Sequence, residues 1–375
     1  MIKVLFYIDC LSRNGSIGGA EKVLLNLVNF MDKSRFQITV MTIFPDSKCH
    51  LLSGEVIYRS IFKKENKFTH FVYRLETHFG LTYFLHMRDC YDIEAAYLEY
   101  GPTKVIASST NKKAVKLAWI HCDFETAIKD KNAFKKKSQQ IYQKIDKVIC
   151  VCQKVRDSFI FIFGDETGTE VIYNVINDQE IRSKALLDLP GNVKKKEFTL
   201  LCVGRFMAQK NYKRLLKTVN RLYEEGYVFH LWILGEGPQR KMIENYIAIH
   251  NLTNMVTLYG FQENPYPFIR EADLLVCSSD FEGYSTFVTE GLVLGKPILA
   301  TDCSGMRELL GDSEYGIIVD VNDDAFYQGV KHVLDHKESL IPNLELKAQK
   351  RSKDFKLEKL VGDTEEFFIR LVQKE

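Results

Sequence analysis

Two cations and two carboxylates in the second half of the chain are spaced as parts of one anion-binding pocket. Arg205 and Lys210 stand five residues apart in Gly204-Arg205-Phe206-Met207-Ala208-Gln209-Lys210, directly after the apolar run Phe198–Val203. A guanidinium grips a diphosphate through two parallel bonds, and an ammonium adds a compact second charge. Glu282 and Glu290 are separated by seven residues. With a helix opening near Ser285 or Thr286, Glu282 falls in the preceding loop and Glu290 one turn inside, at two levels of one pocket. The helix start then directs the amides of Thr286 and Phe287 into that pocket. A further loop, Ser12 to Glu21, carries Gly18-Gly19 just before a helix, where backbone approaches a ligand closely and free amides favour an anion. Neither this loop nor Gly235-Glu236-Gly237, with Arg240 at the third glycine position, is the dinucleotide fingerprint. No Asp-x-Asp element follows a strand, so a site without metal is expected.

The elements that must position these residues are strands alternating with helices. Apolar runs at Lys3–Ile8, Gln37–Phe44, Ile93–Leu98, Leu117–His121 and Val148–Val151 form one series; Phe198–Val203, Phe229–Leu234, Val256–Tyr259, Leu274–Cys277 and Pro297–Thr301 form a second. Helical patterns between them predict parallel sheets, whose ligands bind beyond the carboxyl ends of the strands. The polar stretch Asn177–Glu197, with Pro190-Gly191 and three adjacent lysines, reads as a linker between two doubly wound α/β domains facing a cleft.

Composition narrows the classes. A chain of 375 residues exceeds one ordinary core, and a net charge of +2 gives no reason to expect nucleic acid. Nine scattered cysteines read as reduced core thiols. The opening run MIKVLFYI is too short for a signal peptide or a membrane span, so a cytoplasmic chain is expected. The basic stretch Lys129–Lys147, with Lys135, Lys136 and Lys137 at its centre, reads either as a solvated helix face or as a surface for anionic lipid. The aromatic-rich region from Phe62 to Tyr91 is either core or part of that surface.

In order and spacing these motifs resemble the family 4 glycosyltransferases, in which a Glu-x7-Glu element follows a Gly-Arg…Lys loop and an N-terminal Gly-Gly loop. Ile120-His121-Cys122-Asp123, Val148–Cys152, Ile172-Tyr173-Asn174, Leu234–Pro238 and Ala300–Glu308 extend the likeness over nearly the whole chain. Three places depart from the family's usual pattern: Lys210-Asn211 for Lys-Gly, Gly283-Tyr284-Ser285 for Gly-Phe-Gly, and Ser304 before Gly305. The resemblance implies a GT-B fold whose last helix, Leu357–Val372, crosses back to the first domain. Residues 1–178 plus 357–375 would then bind the acceptor, and 179–356 the nucleotide sugar. It implies retaining transfer from a nucleotide-diphosphate donor, in all expectation a UDP-sugar, to a lipid-linked or oligosaccharide acceptor in polysaccharide biosynthesis. No metal or other cofactor is implied, and the enzyme would work in the cytoplasm, either free or peripheral at the inner face of the cell membrane. Glu290 would hold the ribose, Glu282 the donor sugar and His121 a sugar hydroxyl, while Gly260 and Phe261 would frame the base. Gly18, Gly19, Ser285, Thr286 and Phe287 would complete the donor site beside Arg205 and Lys210. A nucleotide-sugar epimerase of the same architecture and a non-catalytic nucleotide- or glycan-binding scaffold are the two other readings.

Overall fold

The computed structural model describes every residue except Asn14, Arg88, Glu166, Thr167, Asn192, Lys194, Lys196, Lys374 and Glu375. The chain forms two units, residues 1–175 with 358–375, and residues 176–357.

The first unit runs β1 (Ile2–Tyr7), α1 (Gly19–Phe30), β2 (Phe36–Thr42), β3 (Ile57–Ser60), α2 (Lys67–Phe79), α3 (Thr82–His86), β4 (Ile93–Ala96) and α4 (Gly101–Ala107). It continues through β5 (Val115–Ile120), α5 (Phe124–Ala127), α6 (Lys131–Tyr142), β6 (Lys147–Cys150), α7 (Gln153–Phe163) and β7 (Thr169–Val171). Among the described residues its seven strands lie in the order β3-β2-β1-β4-β5-β6-β7, with every pairing parallel. Continuous apolar runs such as Val4, Leu5 and Phe6 suit strands covered on both faces, and all three are fully buried. The last helix, Leu357–Gln373, closes this unit, with the Phe368 ring 6.0 Å from Phe6 and 6.4 Å from Phe36. Glu365 fixes its register by accepting the Asp32 amide at 2.6 Å.

The second unit begins with α8 (Asp178–Ala185), capped by the Asn177 side chain, so the front of the stretch read as a linker is helix. Of its three adjacent lysines, Lys194 and Lys196 lie outside the described residues, and Lys195 bonds Asp273 at 2.5 Å. There follow β8 (Thr199–Val203), α9 (Tyr212–Glu224), β9 (His230–Leu234), α10 (Arg240–Ile249), β10 (Val256–Gly260), α11 (Tyr266–Glu271), β11 (Leu274–Cys277) and α12 (Thr286–Val293). The unit ends with β12 (Ile298–Thr301), α13 (Met306–Leu310), β13 (Ile317–Val319), α14 (Asp323–Asp335) and α15 (Lys337–Arg351); the closing helix of the first unit is α16. The parallel order is β10-β9-β8-β11-β12-β13. In both sheets the strand order reverses beside the first strand, between β1 and β4 and between β8 and β11. That is where an open parallel sheet leaves a crevice for a ligand.

All nine cysteines are free, but the reading of them as core thiols needs correction. Cys150, Cys152, Cys202, Cys277 and Cys303 are buried, Cys90 is exposed, and the rest are half-buried.

Candidate functional site

In the second unit the loop after β8 is shaped by backbone packed on backbone. A Cβ on Gly235, at φ +147°, would stand 1.9 Å from the Gly204 carbonyl oxygen, and one on Gly237 would stand 2.8 Å from the Phe206 nitrogen. Only glycines let the β9 loop lie this close, and Phe206, fully buried against Tyr212, anchors the turn. Its neighbour Arg205 is thereby held outward and exposed, with no carboxylate partner among the described residues.

Lys210 turns back over Gly204. Its Nζ donates to Glu282 Oε1 at 2.6 Å, and Ser279 Oγ donates to the same oxygen at 2.6 Å. Burial alone would depress the ammonium, but the Glu282 charge outweighs it and holds Lys210 above its ordinary value. Next to it Asn211 adopts φ +44°, the left-handed region that asparagine tolerates among non-glycine residues. Its side chain caps α9 at the Arg214 amide and bonds Asp280. The departure from Lys-Gly is therefore compatible with the same turn.

Helix α12 starts at Thr286, as its sequence suggests, with Ser285 as cap accepting from the Val288 amide at 3.5 Å. The serine in place of a glycine thus serves the helix start, and the Thr286 and Phe287 amides remain at its open end. Glu290 sits one turn inside, 6% exposed, and accepts the Tyr266 hydroxyl at 3.3 Å. Burial and then the Glu290 charge push that phenol far upward. Gly291, whose Cβ would fall 2.3 Å from Leu275 Cδ1, lets this helix press onto β11. Gly260, at φ +67°, accepts the Gly235 amide at 2.8 Å, and Phe261 beyond it is 49% exposed. The structure therefore joins Lys210, Ser279 and Glu282 in direct contact. Arg205, Gly260, Phe261 and the α12 residues Ser285 to Glu290 lie on the loops and helix of the same sheet end.

Gly18, Gly19 and His121 belong to the first unit. Gly18 caps α1, and a Cβ there would meet Glu21 Oε2 at 2.4 Å. Asp46 holds the preceding loop by accepting the Leu11 and Ser12 amides, both at 2.8 Å. Sequence reasoning passed over Asp46, and equally Ser279, Tyr266 and Glu99. Glu99 accepts the amides of His121 and Cys122, the latter at 3.0 Å, and burial raises its carboxyl. A single carboxylate after a strand carries no pattern that marks it.

His121 follows β5, its ring 5.0 Å from that of Tyr97 and hydrogen-bonded to the Tyr97 backbone. A carbonyl only accepts, so that bond uses Nδ1–H and leaves Nε2 as a lone pair. Among the described residues Nε2 is buried without a partner, an acceptor suited to a hydroxyl. Burial lowers the ring from its usual 6.5 to about 4. An unfolded chain takes up this proton near pH 6.5 and the folded one only near pH 4. Stability is therefore full above the upper value and lost as pH falls toward the lower, by up to about 3 kcal/mol. His121→Asn is expected to flatten that slope in urea titrations across this window; an unchanged slope would show the ring to be solvated.

Among the described residues no group of three or more His, Cys, Asp or Glu could hold a metal ion, and no helix is long and apolar enough to cross a membrane.

Residues 188–353 match the family model described as glycosyl transferases group 1. The chain is 34% identical over 202 residues to the Campylobacter jejuni N-acetylgalactosamine-N,N'-diacetylbacillosaminyl-diphospho-undecaprenol 4-alpha-N-acetylgalactosaminyltransferase, covering 53% of each chain. It is 24% identical over 202 residues to the lipopolysaccharide core biosynthesis glycosyltransferase LpsE of Rhizobium meliloti, covering 52% of this chain and 55% of that one. The chain spans about half the length of the curated relatives it matches at this level. HepE of Anabaena, solved in complex with UDP and glucose, superposes with a TM-score of 0.74 at 16% identity over 98% of this chain and 99% of its own. The two parallel-sheet units are those of the GT-B fold.

Proposed function

We propose, starting from the match of residues 188–353 to the family model described as glycosyl transferases group 1, that this chain is a retaining glycosyltransferase. It moves a sugar from a UDP-sugar to a lipid-linked or oligosaccharide acceptor in polysaccharide biosynthesis. The observation that carries this reading is the Lys210–Glu282 pair set beside the open start of α12, with Glu290 one turn inside. The UDP bound by HepE and the diphospho-undecaprenol acceptor in the Campylobacter enzyme's name support the donor and acceptor classes. No observation favours an epimerase.

In this reading the bond between the anomeric carbon and the diphosphate oxygen breaks, and the acceptor oxygen bonds to that carbon on the same face. The acceptor's proton passes to the departing phosphate. Arg205, Lys210 and the Thr286 and Phe287 amides take up the leaving charge, in place of a metal ion. Glu290 holds the ribose hydroxyls, Gly260 and Phe261 frame the base, and Glu282 orients the sugar. In the first unit the Gly18-Gly19 helix start suits an anion, and His121 Nε2 suits a sugar hydroxyl. The lysines Lys135, Lys136 and Lys137 on α6, within the basic stretch Lys129–Lys147, favour work at an anionic membrane surface.

A donor at about 100 times its dissociation constant adds about 2.7 kcal/mol to the stability of the unit that binds it. One nucleotide sugar in a panel is expected to raise the unfolding midpoint of the second unit, with or without a chelator. Glu290→Ala should abolish the shift. Protection by no donor, or protection restored after chelation only by a divalent cation, would refute the reading.

A further inference from the structure

A cavity of about 680 Å³ opens in the first unit between α2, α4 and α6. Phe71, Leu75, Phe134 and Ile141 line it with apolar surface, and Arg74, Lys104 and Lys137 bring positive charge, while no Asp or Glu is among the lining residues. Gly101, at the start of α4, is among the residues lining the cavity, and a Cβ on it would stand 3.5 Å from Oδ1 of Asp9, which follows β1. Its size suits a small-molecule site, and its walls suit an anion joined to an apolar chain.

The surface around the cavity mouth has the same double character. Phe68, Phe71, Leu75 and Phe79 recur at three- and four-residue spacing along α2 and are 72%, 62%, 47% and 65% exposed. No residue of this helix is buried, although a capping box of Asn66 and Thr69 and a left-handed Gly80 define both its ends. Leu81, Phe84 and Leu85 of the α3 region prolong the apolar patch. Exposed Lys63, Lys64 and Lys67 flank it, whereas the nearby acids Glu65 and Glu76 are engaged by His70 and His86. An aromatic stripe with a basic border is how a helix lies in the surface of an anionic bilayer, its apolar face sunk about 5–10 Å. Phe71 and Leu75 belong to both the stripe and the cavity wall.

We propose that α2 and α3 rest in an anionic bilayer and that the cavity receives the phosphate of a lipid drawn from it. The phosphate meets Arg74 and Lys137, and the chain stays along Phe71 and Leu75. The proposal rests on the transferase reading in taking that lipid to be the acceptor.

The test is co-sedimentation of the full chain with vesicles of phosphatidylcholine, with phosphatidylglycerol added, and with a polyprenyl phosphate added. Phe68→Ser/Phe79→Ser/Phe84→Ser changes only exposed positions and is expected to weaken binding to anionic vesicles at least about tenfold. Arg74→Gln/Lys137→Gln is expected to remove the extra binding conferred by the polyprenyl phosphate, about thirtyfold for two cations. Lys135→Gln/Lys136→Gln, outside the cavity, should leave that increment in place. Native-like sedimentation of the triple variant, equal loss in the two charge variants, or displacement by inorganic phosphate would each overturn the proposal. Thermal protection by the nucleotide sugar, read on the same preparations, separates the two claims. Its loss in the native protein would sink the transferase reading and leave the vesicle result standing.

Discussion

Removing residues 358–375 is expected to leave the first unit unfolded while the second stays native. Leu360, Val361, Phe367 and Phe368 of α16 are each at most 5% exposed, and Phe368 packs on Phe6 and Phe36 of the central strands. Each such side chain contributes about 1.5–3 kcal/mol by burial, so the four together rival the roughly 5–15 kcal/mol that holds a domain. Loss of Glu365 further strands the Asp32 amide. The chain carries one reporter in each unit, since its two tryptophans are Trp119 in β5 and Trp232 in β9. Urea titration of a Trp232→Phe background follows the first unit alone. Phe368→Ala should lower its stability by about 3–5 kcal/mol, and the truncation should abolish its transition. A truncated protein that keeps the Trp119 transition would show that the helix is dispensable.

Lys210→Ala should reduce turnover by about several hundredfold, because a preorganised donor facing the leaving phosphate is worth about 3–4 kcal/mol at the transition state. The same change removes the partner of Glu282, which is 7% exposed and, among the described residues, keeps the Ser279 hydroxyl as donor. Some stability is therefore lost as well. Lys210→Met/Glu282→Gln removes both charges and separates the effects: it should regain stability and remain inactive. A double variant that regains turnover would mean that Lys210 serves only to neutralise Glu282.

Much of this was legible in the chain itself. Apolar runs too continuous for a half-exposed strand mark buried parallel sheets, and Ser285-Thr286 before an apolar run marks the start of α12. Strands β3, β7 and β13 escaped because three or four residues, as in Ile57-Tyr58-Arg59-Ser60, are too few to carry a usable period. Glu99 and Asp46 escaped for a different reason. Each acts on amides far away in sequence, Glu99 on His121 and Asp46 on Leu11, and only the fold creates those pairs. The spacing of Arg205 and Lys210 suggests two equal phosphate cations. The structure distinguishes them, with Lys210 bound to Glu282 and Arg205 exposed. The stripe Phe68, Phe71, Leu75 and Phe79 shows a helical face in the sequence, but periodicity cannot tell whether protein, lipid or water covers it.

The most direct test of sugar transfer is product analysis by NMR after incubating the native chain and Lys210→Ala with the protective nucleotide sugar and a polyprenyl-diphosphate sugar in vesicles. The account predicts release of the nucleoside diphosphate, a new glycosidic bond with the donor's anomeric configuration, and release slower by about several hundredfold in the variant. A donor isomerised without release of diphosphate, a donor bound but unchanged, or an inverted anomeric centre would contradict it.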